Sequence, residues 1–119
     1  MTEKQITEAK RSLPKIFLDG GTPNPAYTDE VSKKWEELYC RDMINSILCY
    51  DEVCNMDNLY LKSYIETLGR EKVKSLIVEQ EKDFKEAVVQ ENVFTDGEGV
   101  VYNSIIWADE KEKQLKELL

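Results

Sequence analysis

The 119-residue chain contains no histidine. That absence removes Ser-His and Cys-His nucleophile pairs, imidazole acids and bases, and every His-bearing zinc site. Cysteine is scarce, with only Cys40, Cys49 and Cys54. An odd number of thiols without tight spacing is not a disulfide framework, and three do not complete a Cys₄ site. Cys40 and Cys49 read as small buried hydrophobes, and Cys54, in a polar stretch, as the exposed one. Long apolar runs are also missing: none exceeds four residues (Ile47 to Tyr50, Ile105 to Ala108), whereas a spanning helix needs about 20. Residues Met1 to Gln5 lack the apolar stretch of a secretory signal. The expected location is therefore cytoplasmic, with no membrane partner.

What the chain has in surplus is carboxylate. Asp and Glu number 24 against 16 Lys and Arg, a net charge of −8 and a pI near 4.6. Apolar residues make up 41% and charged residues 34%, enough for a core and too apolar for a disordered chain. The length fits one domain. The charge is uneven: residues 1–18 carry +2, and residues 19–119 carry −10. An acidic chain repels phosphate backbones, so direct nucleic-acid binding is disfavoured and a basic protein surface is the better partner.

Local signals divide the chain. Thr2 with Gln5 forms a capping box for a short polar helix to about Arg11, interrupted by Pro14. Ile16-Phe17-Leu18 reads as a short strand or an apolar anchor. Asp19 to Pro25, with paired glycines and two prolines, is a connector; it lacks the Lys-Ser/Thr of a phosphate-binding loop. Thr28 caps a helix running to about Tyr50. Its first half carries a stripe of Val31, Trp35, Leu38 and Tyr39. Its second half, with Met43, Ile44, Ile47 and Leu48, is apolar over a broad sector on another side, so this helix is central. Leu61, Tyr64, Ile65 and Leu68 give one face of a further helix that ends at Gly69. Arg70 to about Gln90 follows, with Val73, Leu76, Ile77, Phe84, Ala87 and Val88 on one side and Gln80 in their row.

The periodicity then changes. Val93-Phe94-Thr95 and Val100-Val101-Tyr102, joined by Asp96-Gly97-Glu98-Gly99, predict a β-hairpin. Asp109 to Leu119 is a charged last helix anchored by Leu115, Leu118 and Leu119. The expected fold is mainly α (α+β): a small helical bundle with one C-terminal β-hairpin and a terminal helix. Within a single domain, residues 1–27 form the polar helix and loop, 28–91 the helical core, 92–107 the hairpin and 108–119 the last helix.

Carboxylates are the only abundant catalytic currency. Helical Mg²⁺-dependent nucleotide hydrolases pair acids three residues apart, which sets them on one helical face. Two such pairs occur, Asp83/Glu86 and Asp109/Glu112. The expected succession of pairs on packed helices is missing, so neither a metal nor another cofactor is expected. The distribution of charge says more. Residues 79–110 hold nine acids and two bases. On a helical wheel, Glu79, Asp83 and Glu86 lie together beside the apolar stripe, and Asp96 and Glu98 at the hairpin tip prolong that surface. Carboxylates so arranged can stand in for phosphates on a surface lined with Lys and Arg. Phe94, Tyr102 or Trp107 would supply a desolvated anchor.

From Tyr39 to Leu68 and again from Val93 to Trp107, about half of the chain resembles small acidic accessory proteins of phages and integrated elements of Gram-positive bacteria. The resemblance brings no catalytic residues. It implies a context that includes inhibitors of host defence, anti-CRISPR proteins among them, some of which occupy nucleic-acid-binding surfaces. The leading expectation is a non-enzymatic binding module that docks on a basic, nucleic-acid-binding surface of a host protein through Glu79, Asp83, Glu86, Asp96, Glu98, Phe94 and Tyr102. The alternatives are a Mg²⁺-dependent hydrolase using Asp83 and Glu86, and a homodimer seamed on Ile44, Ile47 and Leu48.

Overall fold

The computed structural model describes residues 1–49, 55–91 and 109–119. It is mainly helical: α1 (Glu3–Ser12), α2 (Asp29–Cys49), α3 (Asn55–Leu68), α4 (Arg70–Glu91) and α5 (109–117). Among the described residues the sole β pairing is an isolated antiparallel bridge, Phe17 with Pro23. The predicted hairpin over 92–107 lies outside the described residues, as do Cys54 and the side chain of Cys49.

Helix boundaries follow local chemistry. Both halves of the α1 capping box form: Gln5 N–H donates to Thr2 Oγ1 at 3.2 Å, and Thr2 N–H donates to Gln5 Oε1 at 2.9 Å. Two orphan amides at the helix start are thereby satisfied. Leu13 leaves the helix with ψ 143°, the extended conformation that a following proline imposes. At α2, Val31 N–H donates to Thr28 Oγ1 at 3.3 Å, so Thr28 caps as its position predicts. Between α3 and α4 the chain turns on one residue. Gly69 N–H closes α3 onto Ile65 O at 2.8 Å, and Gly69 O accepts from Val73 N–H at 3.1 Å to open α4. Its φ is +90°, a value that side-chain-bearing residues rarely adopt.

The 14–27 segment runs over the end of the α1–α2 pair. Trp35 Nε1–H donates to Pro14 O at 2.8 Å. Gly20 and Gly21, both at positive φ, make the turn, while Leu18 N–H to Thr22 O and Asn24 N–H to Ile16 O close the bridge. Ile16, Phe17 and Leu18 are each about half exposed (53%, 59% and 48%). They do not anchor the loop; backbone hydrogen bonds and the Trp35 contact hold it.

The core lies where α2 meets α3, α4 and α5. Cys40, Ile44, Ile47 and Leu48 of α2 pack with Leu61 of α3, Val73, Leu76 and Ile77 of α4, and Leu115 of α5. The two-sided pattern of α2 has a direct cause. Its second half faces this core, and its first half faces α1 and the loop through Leu38 and Trp35. Ile6, 1% exposed, is the buried side chain of α1. At that seam Trp35 and Tyr39 stack at 5.8 Å, and Lys10 lies 5.0 Å from the Tyr39 ring centre while pairing with Asp42. Cys40 is a free thiol, and burial pushes it up to about 12, well out of the range of a reactive thiolate. Ile44, Ile47 and Leu48 are 0%, 2% and 3% exposed in the single chain. The chain's own helices cover these residues, which the sequence alone offers as a dimer seam.

A Cβ added at Gly69 meets no heavy atom within 4 Å, so backbone strain alone sets the cost of a substitution there. Gly69→Ala is expected to destabilise the protein by about 1–2 kcal/mol with all helices retained. Urea unfolding followed by circular dichroism measures it.

Candidate functional site

Position 80 interrupts the apolar row of α4 with an amide, and the structure shows why an amide fits. Gln80 is fully buried. Its Oε1 accepts from Arg41 Nη1 at 2.7 Å and from the Met1 amino group at 2.9 Å. Its Nε2 donates to Asn45 Oδ1 at 2.8 Å and to Met1 O at 2.7 Å. Every hydrogen-bonding position of the side chain is used. Glutamate could not replace it without loss, since a carboxylate has no proton for the carbonyl oxygens of Asn45 and Met1. Arg41 and Asn45 stand one helical turn apart on α2, so one amide joins α2, α4 and the start of the chain.

The acidic flank predicted on α4 is arranged around this clasp. Glu79 Oε2 accepts from Arg41 Nη2 at 2.8 Å and remains about half exposed (52%). Arg41, itself buried, also reaches Glu37 at 3.4 Å, and Lys72 approaches the same Glu37 oxygen at 3.4 Å. These four groups sum to zero charge. Asp83 pairs with the Met1 ammonium and is 35% exposed on its side chain. Glu86 is exposed and makes no ion pair among the described residues. The three acids share a flank, then, but two of them are engaged within the molecule. Asp96, Glu98, Phe94 and Tyr102, with Trp107, lie outside the described residues.

A second acidic group joins residues that the sequence leaves far apart. Carboxylate oxygens of Glu81, Asp109 and Glu112 lie within 4.8 Å of one another. Glu81 is buried, Asp109 exposed and Glu112 half-buried. The Lys85 ammonium pairs with both Glu81 and Asp109, and Lys116 pairs with Glu112. Lys85 thereby takes the central cationic place in the group. Burial raises the pKa of Glu81, helped by Asp109 and Glu112 and opposed by Lys85. Asp109 is lowered, chiefly by its hydrogen bond to Lys85. Burial works against the charge of Lys85, yet its two carboxylate partners hold its pKa above the ordinary lysine value. The four-residue spacing of Glu81 and Lys85 is legible in the sequence; the arrival of Asp109 is not.

Sequence reasoning also passes over Leu59 and Tyr60 of α3, exposed at 60% and 50%. With Phe17 they are large apolar side chains on the described surface, and only their departure from the buried face of α3 gives a sequence signal.

Gln80→Leu keeps the volume and removes all four hydrogen bonds, leaving Arg41 and Asn45 short of partners. The expected loss is about 2–4 kcal/mol, read as a lower urea midpoint with α-helical signal intact before the transition.

The chain matches no protein-family model, no curated protein and no solved structure in the comparisons made with each.

Proposed function

We propose that the protein is a non-enzymatic binding module that docks on a basic protein surface. The observation that carries this reading is the placement of Glu79, Asp83 and Glu86 on one flank of α4, where Glu86 is exposed and Glu79 stays half exposed even in its pair with Arg41. A partner lined with Lys and Arg for nucleic acid would meet carboxylates in place of phosphates. Long-range attraction between surfaces of opposite sign speeds encounter and suppresses wrong partners. The net charge of −8 supports the same direction.

The hairpin expected over 92–107 adds, by its sequence, Asp96 and Glu98 to the negative surface and Phe94 and Tyr102 as aromatic anchors. Charge alone rarely fixes an interface, and anchors of this type usually carry the binding energy. The resemblance to accessory proteins of phages and integrated elements makes the target class a host protein that handles nucleic acid, blocked at its binding surface in the manner of an anti-CRISPR protein. No membrane contact belongs to this reading; among the described residues no helix is long and apolar enough to cross one.

Glu86 is the residue to change first, because Glu79 and Asp83 also hold Arg41 and Met1. With the immobilised protein exposed to lysate of a Gram-positive host, the expected result is a basic nucleic-acid-binding protein retained at low salt. Added DNA or RNA releases it, as does high salt, and Glu86→Lys weakens capture several-fold. Retention that ignores salt, nucleic acid and Glu86→Lys alike would remove this surface from the mechanism.

A further inference from the structure

Two kinds of contact hold α5. Leu115 is fully buried in the core, and Lys111 Nζ donates to Leu48 O, at the end of α2, at 3.2 Å. Beside this apolar seat lies the polar group on α4. Seating the helix brings Asp109 and Glu112 against Glu81, which is 7% exposed with α5 in place. Three carboxylates meet there around the ammonium of Lys85, with Lys116 neutralising Glu112 from within α5. The five groups, all ionised, sum to −1. Like charges at such separations repel strongly where water is excluded, and a proton shared between two carboxylates relieves that repulsion.

We propose that docking of α5 is proton-linked: Glu81 takes up a proton as the helix seats and shares it with Asp109, so mild acid fastens the helix and rising pH loosens it. Among the described residues, the charged groups acting on Glu81 are Lys85 from its own helix and Asp109 and Glu112 from α5. The raised pKa of Glu81 agrees in direction.

The sign follows from proton counting. A carboxyl whose pKa is higher docked than free binds more protons when docked, so its contribution is complete below the free value and is lost as pH rises through the docked value. Asp109 works oppositely. Held down by Lys85, it favours docking above the ordinary aspartate range, and that contribution disappears only as pH falls through its lowered value. Lys85, raised by its partners, favours docking up to the ordinary lysine range and drops out only in strong alkali. Between the ordinary aspartate range and the ordinary lysine range, the linked change is that of Glu81. Docking is therefore tightest in a mildly acidic window, weakening on either side.

Hydrogen exchange on the full chain tests this between pH 4.5 and 8, with rates corrected for the intrinsic pH dependence of exchange. Amides of α5 are compared with those of the buried stretch of α2 near Ile44. Expected is a fall in α5 protection with rising pH, by at most about tenfold per pH unit for one linked proton, while the α2 amides stay flat. Glu81→Gln, a neutral side chain that still donates to Asp109, keeps α5 protected and abolishes the slope. Should that variant fail to fold, the carboxyl carbon of Glu81 in the unaltered protein, followed by NMR, is expected to titrate above the ordinary glutamate range. Protection of α5 that does not change with pH, an undiminished slope in Glu81→Gln, or an ordinary Glu81 titration would each overturn the proposal.

Discussion

A neutral amide in an apolar row fixes how this molecule is put together. Gln80 lies at the buried centre of α4 and offers two donors and an acceptor oxygen to partners on α2 and at the start of the chain. Burying an amide is costly unless its hydrogen bonds are remade, and here all of them are. The consequence is specificity of register. Slide α2 by one turn along α4, and Arg41 and Asn45 no longer both meet Gln80, while Arg41 keeps only Glu37 of its own helix. Apolar side chains such as Ile44 and Leu76 would tolerate some repacking; this polar contact has one arrangement that satisfies it.

The clasp also decides how much negative charge the surface of α4 presents. Glu79 precedes Gln80 by one residue and Asp83 follows it by three, so their carboxylates come up on either side of the same contact. Arg41 takes one and the Met1 ammonium takes the other. On the other side of the apolar row of α4, Glu81 is turned inward to Lys85 and α5. A run that looks uniformly acidic along the chain is thus divided among internal partners, with Glu86 left facing outward. The docking face proposed for this helix would be built from the remainder after internal pairing, and its strength would depend on how firmly the clasp is held.

The same helix therefore joins two differently balanced polar groups. Around Arg41 the charges cancel: Arg41 and Lys72 face Glu37 and Glu79. Around Lys85 they do not, since three carboxylates meet with fewer compensating charges. A balanced group holds its geometry over a wide range of conditions, whereas an unbalanced one responds to protons. Gln80 and its neighbours belong to the permanent architecture, and α5 to the part whose attachment depends on solution conditions.

Most of the helical architecture was legible in the residues. The Thr2/Gln5 box, the cap at Thr28, the break before Pro14 and the corner at Gly69 were all readable, because each is settled by atoms within four residues of one another. The apolar rows of α2 and α4 were readable for the same reason, and even Gln80 stood out as the polar member of its row. Its partners did not stand out, nor did the pairing of Glu79 with Arg41 or of Lys85 with Asp109, which join residues 38 and 24 positions apart. Helical periodicity tells which way a side chain points; it does not tell what another helix places opposite it. Whether a given carboxylate is free, paired or pushed to hold its proton is fixed by that opposing group and by the exclusion of water, and both come into being only when the helices pack.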